Sequence, residues 1–260
     1  MTMNRWVRDP ATLQPGTPKS ANPFVMPPTP QLEVRYLTDP DVYRAVLPPP
    51  LEPAAEPRVH LRVTDIDLQF GDFRHAEKIL YFAVEALLDG APVHYPLSYL
   101  LDLESAVSPS RERFGEPKKL AGVEIDREGS HVRASVTRSG ITLVEIQGDV
   151  TEALPEGGPY ETTAIWYKFL PTVDGDGFDY GPKLVRAHDV CETKSLERVD
   201  GKLVLRDSPT DPLADLPVRT LESILWRVFT VLHTVTLGED VDAEAFRPFA
   251  HGRYDVFASH

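Results

Sequence analysis

Polar and apolar residues alternate along most of this chain, and a period of two predicts strands. "QLEVRYL" (31–37) alternates, and so does "RVHLRVTDIDLQF" (58–70), with Val59, Leu61, Val63, Ile66 and Leu68 or Phe70 as its apolar members. The period slips once near Thr64, which predicts a bulge. "EKILYFAVEALL" (77–88) has a spacing that a helix could also use. The turn "DGAP" and the second apolar run "VHYPLSYLLDL" make a hairpin the better reading. In the second half, "KKLAGVEI", "HVRASVTR", "ITLVEIQG" and "ETTAIWYKFLP" read as strands separated by turn signals, Ser139-Gly140 among them. "PKLVRAHDVCETKSLERV" and "KLVLRD" flank Asp200-Gly201, which predicts a further hairpin. "VRTLESILWRVFTVLHTVTLG" is the most apolar segment; its β-branched residues favour a strand, with a buried helix as the alternative.

Helix signals are few. "TDPDVYRAVLP" offers Thr38 or Asp39 as a cap with Pro40 in the first turn, and "SPSRERFG" offers Ser108 as cap and Gly115 as stop. Residues 1–30 are proline-rich and read as an extended arm whose end, at Phe24, Val25 and Met26, packs on something. No linker interrupts residues 31–260, which read as one domain. The expected fold is mainly β: a dozen or so strands in a single sheet curled into a barrel, with a few short helices.

Composition narrows the function. The chain has 260 residues and a net charge of -13, from 40 acidic and 27 basic side chains. That excess argues against nucleic acid and against anionic membrane surfaces as partners. A small anionic substrate stays possible, because local arginines can outweigh a distant field. One cysteine, Cys191, rules out a disulfide within the chain and fits a reducing, cytoplasmic setting. Cys191 lies in a polar alternating run and reads as an inert thiol. No apolar leader and no long apolar run predicts a membrane segment.

Several motifs carry little. "TVDGDGFDYG" clusters Asp174, Asp176 and Asp179 but lacks the glutamate of a calcium loop at the required spacing. Eight histidines are scattered without ligand spacing on any one element, so no metal is expected. There is no glycine-rich nucleotide fingerprint and no serine nucleophile elbow.

One stretch stands apart. "FGEPKKLAGVEI" (114–125) sets Lys118 and Lys119 side by side at the head of an apolar strand. On composition alone a solvated pair is the ordinary account, since buried lysines are rare. "RERFGEPKKL" (111–120), however, resembles the active-site segment of the acetoacetate decarboxylase superfamily, where an Arg-Glu pair precedes Pro-Lys-Lys-Leu. "YLTDPDVYRAVLPPPLE", "IWYKFLPTVDG" and "DPLADLPVR" resemble three further stretches of that family in the same order. The resemblance implies a cone-like barrel built from a largely antiparallel sheet, usually in homo-oligomers, and an enzyme that needs no cofactor. It implies that Lys118 forms an iminium with a small keto acid and that Lys119 helps to lower its pKa. Arg111 and Glu112 match the family's Arg-Glu pair, either in catalysis or as a structural ion pair beneath the strand.

The chemistry sets a demand. A lysine attacks a carbonyl only as the neutral amine, and bringing its pKa from about 10.4 to near 7 takes roughly 4.6 kcal/mol. A second ammonium at about 6 Å supplies roughly 2.8 kcal/mol at an effective dielectric near 20, so desolvation must supply the rest. Adjacent strand residues point to opposite faces, which would carry Lys119 away from Lys118. Burial is therefore expected to matter more than repulsion, and to lower the Lys118 pKa.

The chain also departs from the family. The family's arginine before the first strand falls at Thr29, and its two strand glutamates fall near Arg62 and His75, with Glu77 able to replace His75. Arg62, Arg74 and His75 together would make a more cationic pocket suited to an anionic keto acid. Retention of the second lysine favours a lyase that decarboxylates a β-keto acid. The alternatives are a pyruvate aldolase-dehydratase using the same lysine and a barrel that binds a small ligand without chemistry.

Overall fold

The computed structural model describes residues 24–70 and 73–255. Among these residues twelve strands form one sheet. The strands are β1 (Phe24–Leu37), β2 (Glu52–Pro53), β3 (Arg58–Phe70), β4 (Phe73–Leu88), β5 (Ala91–Leu101), β6 (Lys118–Leu120), β7 (Gly122–Glu128), β8 (His131–Arg138), β9 (Ile141–Leu154), β10 (Tyr160–Pro171), β11 (Phe178–Leu205) and β12 (Thr220–Asp240). Neighbours run β10–β5–β4–β3–β1–β12–β11, and a β10–β11 pairing closes these seven into a ring. The long β11 pairs with β10 through its first half and with β9 through its second, so β9, β8 and β7 extend the sheet beyond the ring.

That extension folds back on the ring and gives the barrel two different faces. Val59, Leu61 and Val63 of β3, and Leu80, Phe82 and Val84 of β4, pack outward into the main apolar core with Val123, Ile125, Val132 and Ile146 of the extension. The opposite parity faces the lumen. There β3 presents His60, Arg62 and Thr64, then Ile66 and Leu68 in a smaller apolar cluster with Met26, Phe229 and Val231. The period slip near Thr64 is therefore a change in which face is apolar. The β3 register runs unbroken against β1 and β4, so the expected bulge is absent.

The turn chemistry is local and explicit. Asp89 and Gly90 (φ 53° and 76°), and Ser139 and Gly140 (φ 51° and 79°), make the tight hairpins β4–β5 and β8–β9. Asp200-Gly201 does not turn; it lies inside β11, paired with Asp149 and Gly148 of β9. Both glycines are there for close approach. A Cβ on Gly148 would lie 2.4 Å from the Asp200 carbonyl oxygen and 2.6 Å from Gly201 Cα. Because the obstacle is backbone, Gly148→Ala must spread two strands, and a loss of about 1–3 kcal/mol in urea unfolding is expected.

Other expectations change in detail. Two pairings are parallel, β5 with β10 and β5 with β6. "KKLAGVEI" is split into β6 and β7 at Ala121. Helix α1 (Pro40–Ala45) is capped by Asp39, whose carboxylate accepts from Asp41 N. Helix α2 (Glu104–Pro109) begins earlier than Ser108 and runs into a π-helical turn, Ser110–Phe114, ended by Gly115 at φ 81°. Residues 24–30 of the expected arm belong to β1, with Pro27 and Pro28 inside a register shift against β12. The rest of the arm lies outside the described residues. No described helix is long and apolar enough to cross a membrane.

Candidate active site

A row of directly paired residues crosses the lumen wall: Glu33, Arg62, Tyr81, Tyr99 and Lys118, one from each of β1, β3, β4, β5 and β6. Arg62 and Tyr99 are deeply enclosed by protein yet keep intermediate accessible surface, as side chains on the wall of an internal space do. Lys118 is buried at 9% exposure. Its Nζ lies 3.1 Å from Glu116 Oε2 and donates to Ser110 Oγ at 3.2 Å.

The segment before the lysine is pinned from several sides. Arg111 donates to the Lys118 and Arg253 carbonyls at 2.9 and 3.1 Å, and Trp166 Nε1 donates to the Phe114 carbonyl at 2.8 Å. A Cβ on Gly115 would come within 2.6 Å of Lys168 Cα, so only glycine lets this turn lie against β10. The π-turn thus ends with its backbone locked, and Glu116 is delivered beside the amine.

Electrostatics there run against the expectation from burial. Burial does push the Lys118 pKa down, but the charges of Glu116 and Glu77 and the hydrogen bond to Glu116 outweigh it, and the net shift is upward. Glu77 is itself buried. Burial raises its pKa, yet the hydrogen bond from His75 and the charge of Lys118 hold it below the ordinary glutamate value. The resting site is an ion cluster with the lysine as ammonium.

Lys119 faces the other way, as strand geometry requires. Its Nζ donates to the Thr210 carbonyl at 2.9 Å and to Asp211 Oδ1 at 3.0 Å, and pairs with Asp255 Oδ1 at 3.1 Å. Its charge is thus matched by two carboxylates, and it is not among the groups that shift the Lys118 pKa.

Of the other expected site residues, Arg62 and Glu77 are on the lumen wall, and His75 touches Glu77 at 3.3 Å. Arg74 is on the surface, paired with Asp67, and does not join the cluster. Glu112 is exposed, and Arg111 binds backbone carbonyls, so the pair forms no salt bridge beneath the strand. Thr29 puts no charge at its position; its hydroxyl donates to the Pro27 carbonyl at 2.8 Å.

Glu116, Tyr81, Tyr99, Glu33 and Arg227 were not singled out from the sequence. Glu33 accepts from Arg35 at 2.7 Å and lies 3.4 Å from Arg227. Burial raises its pKa, but Arg35, Arg227 and Arg62 together hold it low. Arg227 also donates to Tyr160 and Thr193 at 2.8 and 3.3 Å. Cys191 is buried in the adjoining apolar cluster, and burial pushes its thiol up to about 11, which makes it a poor nucleophile.

The histidines do gather, although from different strands. His60, Glu85 and His94 place ligand atoms within 4.8 Å of one another. Arg58 already holds Glu85 at 2.8 Å, and the positive charges of Arg35 and Arg62 act on both imidazoles. This is a poor setting for a divalent cation. An apolar cavity of about 490 Å³ also lies behind residues 115–117, lined by Tyr95, Trp166, Tyr167, Phe169 and Phe246, but Lys118 does not line it.

Residues 10–242 match the family model for acetoacetate decarboxylase. The chain belongs to the acetoacetate decarboxylase family. It is 30% identical over 224 residues to an acetoacetate decarboxylase of Burkholderia cenocepacia, covering 81% of this chain and 85% of the relative. An acetoacetate decarboxylase of Paraburkholderia xenovorans is 38% identical over 233 residues, covering 85% and 87%. Among solved structures, one of acetoacetate decarboxylase superposes with a TM-score of 0.75 at 21% identity, over 90% of this chain and 98% of that one. The enduracididine biosynthesis enzyme MppR in complex with pyruvate superposes with a TM-score of 0.68 at 19% identity, over 83% and 91%. At such identities the two structures establish the fold of the acetoacetate decarboxylase family for this chain, and the chemistry rests on its own residues.

Proposed function

We propose that this acetoacetate decarboxylase family member is a lyase that decarboxylates a β-keto acid through an iminium on Lys118. The observation that carries the reading is the buried Lys118 amine on the lumen wall, with Glu116 and Glu77 as its carboxylate partners. The ammonium passes its proton to Glu116, and the neutral amine attacks the ketone. Glu116, now a carboxylic acid, protonates the carbinolamine hydroxyl, which leaves as water. The iminium accepts the electron pair as the carbon–carbon bond breaks and carbon dioxide departs. The enamine is then protonated at carbon, and water releases the ketone. Glu77, ionised and close, stabilises the iminium charge in a site of low dielectric. Release of carbon dioxide from β-keto acids, measured with purified protein, tests the reading.

A pyruvate aldolase-dehydratase is the second reading, and one observation favours it. Because Lys119 is held by aspartates on the far face, retention of the lysine pair no longer argues for decarboxylation. Condensation of pyruvate with an aldehyde, without carbon dioxide release from any β-keto acid, would decide for it.

The pH dependence of iminium formation checks the role of Glu116. Removing its charge in Glu116→Gln takes away the strongest upward influence on Lys118 and leaves burial to lower the pKa. The midpoint of borohydride trapping is expected to move at least about one unit toward lower pH, since one unit is only about 1.4 kcal/mol. An unmoved midpoint would place the controlling charge elsewhere.

A further inference from the structure

We infer that Arg62 and Tyr81 form an anion subsite for a carboxylate that the substrate keeps through the reaction, so that the substrate is a keto acid carrying a carboxylate besides any that leaves. The ketone rests on the Schiff-base reading of Lys118; the anion subsite does not.

Arg62 has no carboxylate within ion-pair distance among the described residues. Its neighbour across the strand pair, Glu33, is engaged by Arg35, Arg227 and Gln31. The Arg62 guanidinium lies over the Tyr81 ring at 3.9 Å, and its Nε is buried without a hydrogen-bond partner. The Tyr81 hydroxyl, beside that guanidinium, is likewise buried and has no acceptor for its proton. Buried donors without partners are costly and uncommon, so two on adjacent strands of one lumen mark a place where a ligand completes the bonding. Both can donate, which selects an acceptor, and the guanidinium selects an anion.

The charge distribution gives the ligand a direction. Around Arg62 stand three guanidiniums, Arg35, Arg62 and Arg227, against two carboxylates, Glu33 and Asp189, the latter held by His233. Around Lys118 stands one ammonium against Glu116 and Glu77. The arginine wall therefore has a surplus of positive charge and the lysine wall a surplus of negative charge. A keto acid lies with its anionic end at Arg62 and its ketone at Lys118. Three strand spacings separate the two backbones, about 14 Å along the sheet. Two long side chains on the inner wall leave a short dicarboxylate the span between them.

Chemistry decides which carboxylate this is. A carboxylate that leaves becomes neutral carbon dioxide, and a guanidinium bound to it stabilises the ground state more than the transition state, which opposes its loss. Arg62 is suited to a carboxylate whose charge does not change. With 3-oxoglutarate, one carboxylate leaves as carbon dioxide, its bonding pair passes to the iminium, a proton from solvent completes the new methyl group, and the other carboxylate remains.

The test compares 3-oxoglutarate, which can seat one carboxylate at Arg62 while the other leaves, with acetone, which carries no carboxylate. Borohydride trapping on the Lys118 peptide should half-saturate at least tenfold lower in 3-oxoglutarate for the wild type. Arg62→Met should bring the diacid to the acetone level, and Tyr81→Phe should erode the preference severalfold. Glutarate, which has no ketone, should bind the wild type in calorimetry and fail to bind Arg62→Met. Should Arg62→Met not fold, as judged by thermal unfolding, Tyr81→Phe and Arg62→Lys carry the comparison, the latter retaining charge and part of the glutarate binding. Equal half-saturation together with no glutarate binding would overturn the subsite while leaving the iminium standing. Arg62-dependent glutarate binding without any labelling of Lys118 would support the subsite and reject the Schiff-base reading.

Discussion

Lys118→Ala is expected to abolish reductive trapping by any keto acid and to lower carbon dioxide release on the order of 10⁴-fold or more. The size follows from the role. A group that forms the covalent intermediate cannot be bypassed by the remaining site, and loss of such a group removes nearly all of the chemistry. No other lysine among the described residues stands in the same relation to the lumen. Lys119 is turned to Asp211 and Asp255, Lys168 donates to the Arg113 carbonyl at the surface, and Lys78 is not among the groups acting on the Glu77 carboxylate. The substitution also leaves Glu77 and Glu116 without their cation, so some stability is lost at neutral pH. Lys118→Arg keeps a positive charge for those carboxylates but cannot form an imine, and so separates the two effects. Mass analysis of the peptide that contains residue 118 provides the readout. A label that persists after Lys118→Ala, on any peptide, would reject the assignment.

Strand content, most hairpins and the lysine motif were legible because each depends on local chemistry. Asp89-Gly90 and Ser139-Gly140 turn because their backbones enter the left-handed region, and the flanking alternation says so. Asp200-Gly201 carries the same letters and does not turn. Its glycine serves a neighbour, Gly148, fifty-odd residues earlier in the chain, and a contact at that separation leaves no local mark. The slip in β3 was visible, but its cause was the extent of the covering sheet, a tertiary fact. At the site, the opposite orientations of Lys118 and Lys119 followed from the pleat alone. The sign of the Lys118 shift did not, because it depends on Glu116 and Glu77 reaching one amine from two elements. A signal for Glu77 was present: in "EKILYFAVEALL", residues 77, 81 and 85 are polar and share one parity, with Lys78 the one polar residue of the other. Glu116 lies inside the lysine motif, but nothing local separates it from Glu112 of the Arg-Glu pair, which faces solvent.

The second large effect concerns stability and separates the two lysines. Asp211→Ala is expected to cost about 3–5 kcal/mol, because it strips a buried carboxylate from the buried Lys119 and the partly buried Arg138. Asp211 is 3% exposed; it accepts from Lys119 at 3.0 Å, from Arg138 at 2.6 Å and from the Thr210 hydroxyl at 2.9 Å. Among the described residues, its removal leaves Lys119, 6% exposed, with the half-exposed Asp255 as its remaining carboxylate partner. Lys119→Met costs less, about 1–3 kcal/mol, since Arg138 still satisfies Asp211. Asp255→Ala should cost under about 1 kcal/mol, its side chain being 48% exposed. For a chain of this length each kcal/mol moves the melting temperature by roughly 2–4 °C, so the three variants should separate clearly in thermal unfolding. Below their transitions all three should still trap a keto acid on Lys118. If Lys119 instead acted by repulsion, Lys119→Met would move the trapping midpoint to higher pH by a unit or more and leave the melting temperature nearly unchanged. That pair of results would return the second lysine to the catalytic machinery and assign the Asp211 contact a minor part in holding the fold.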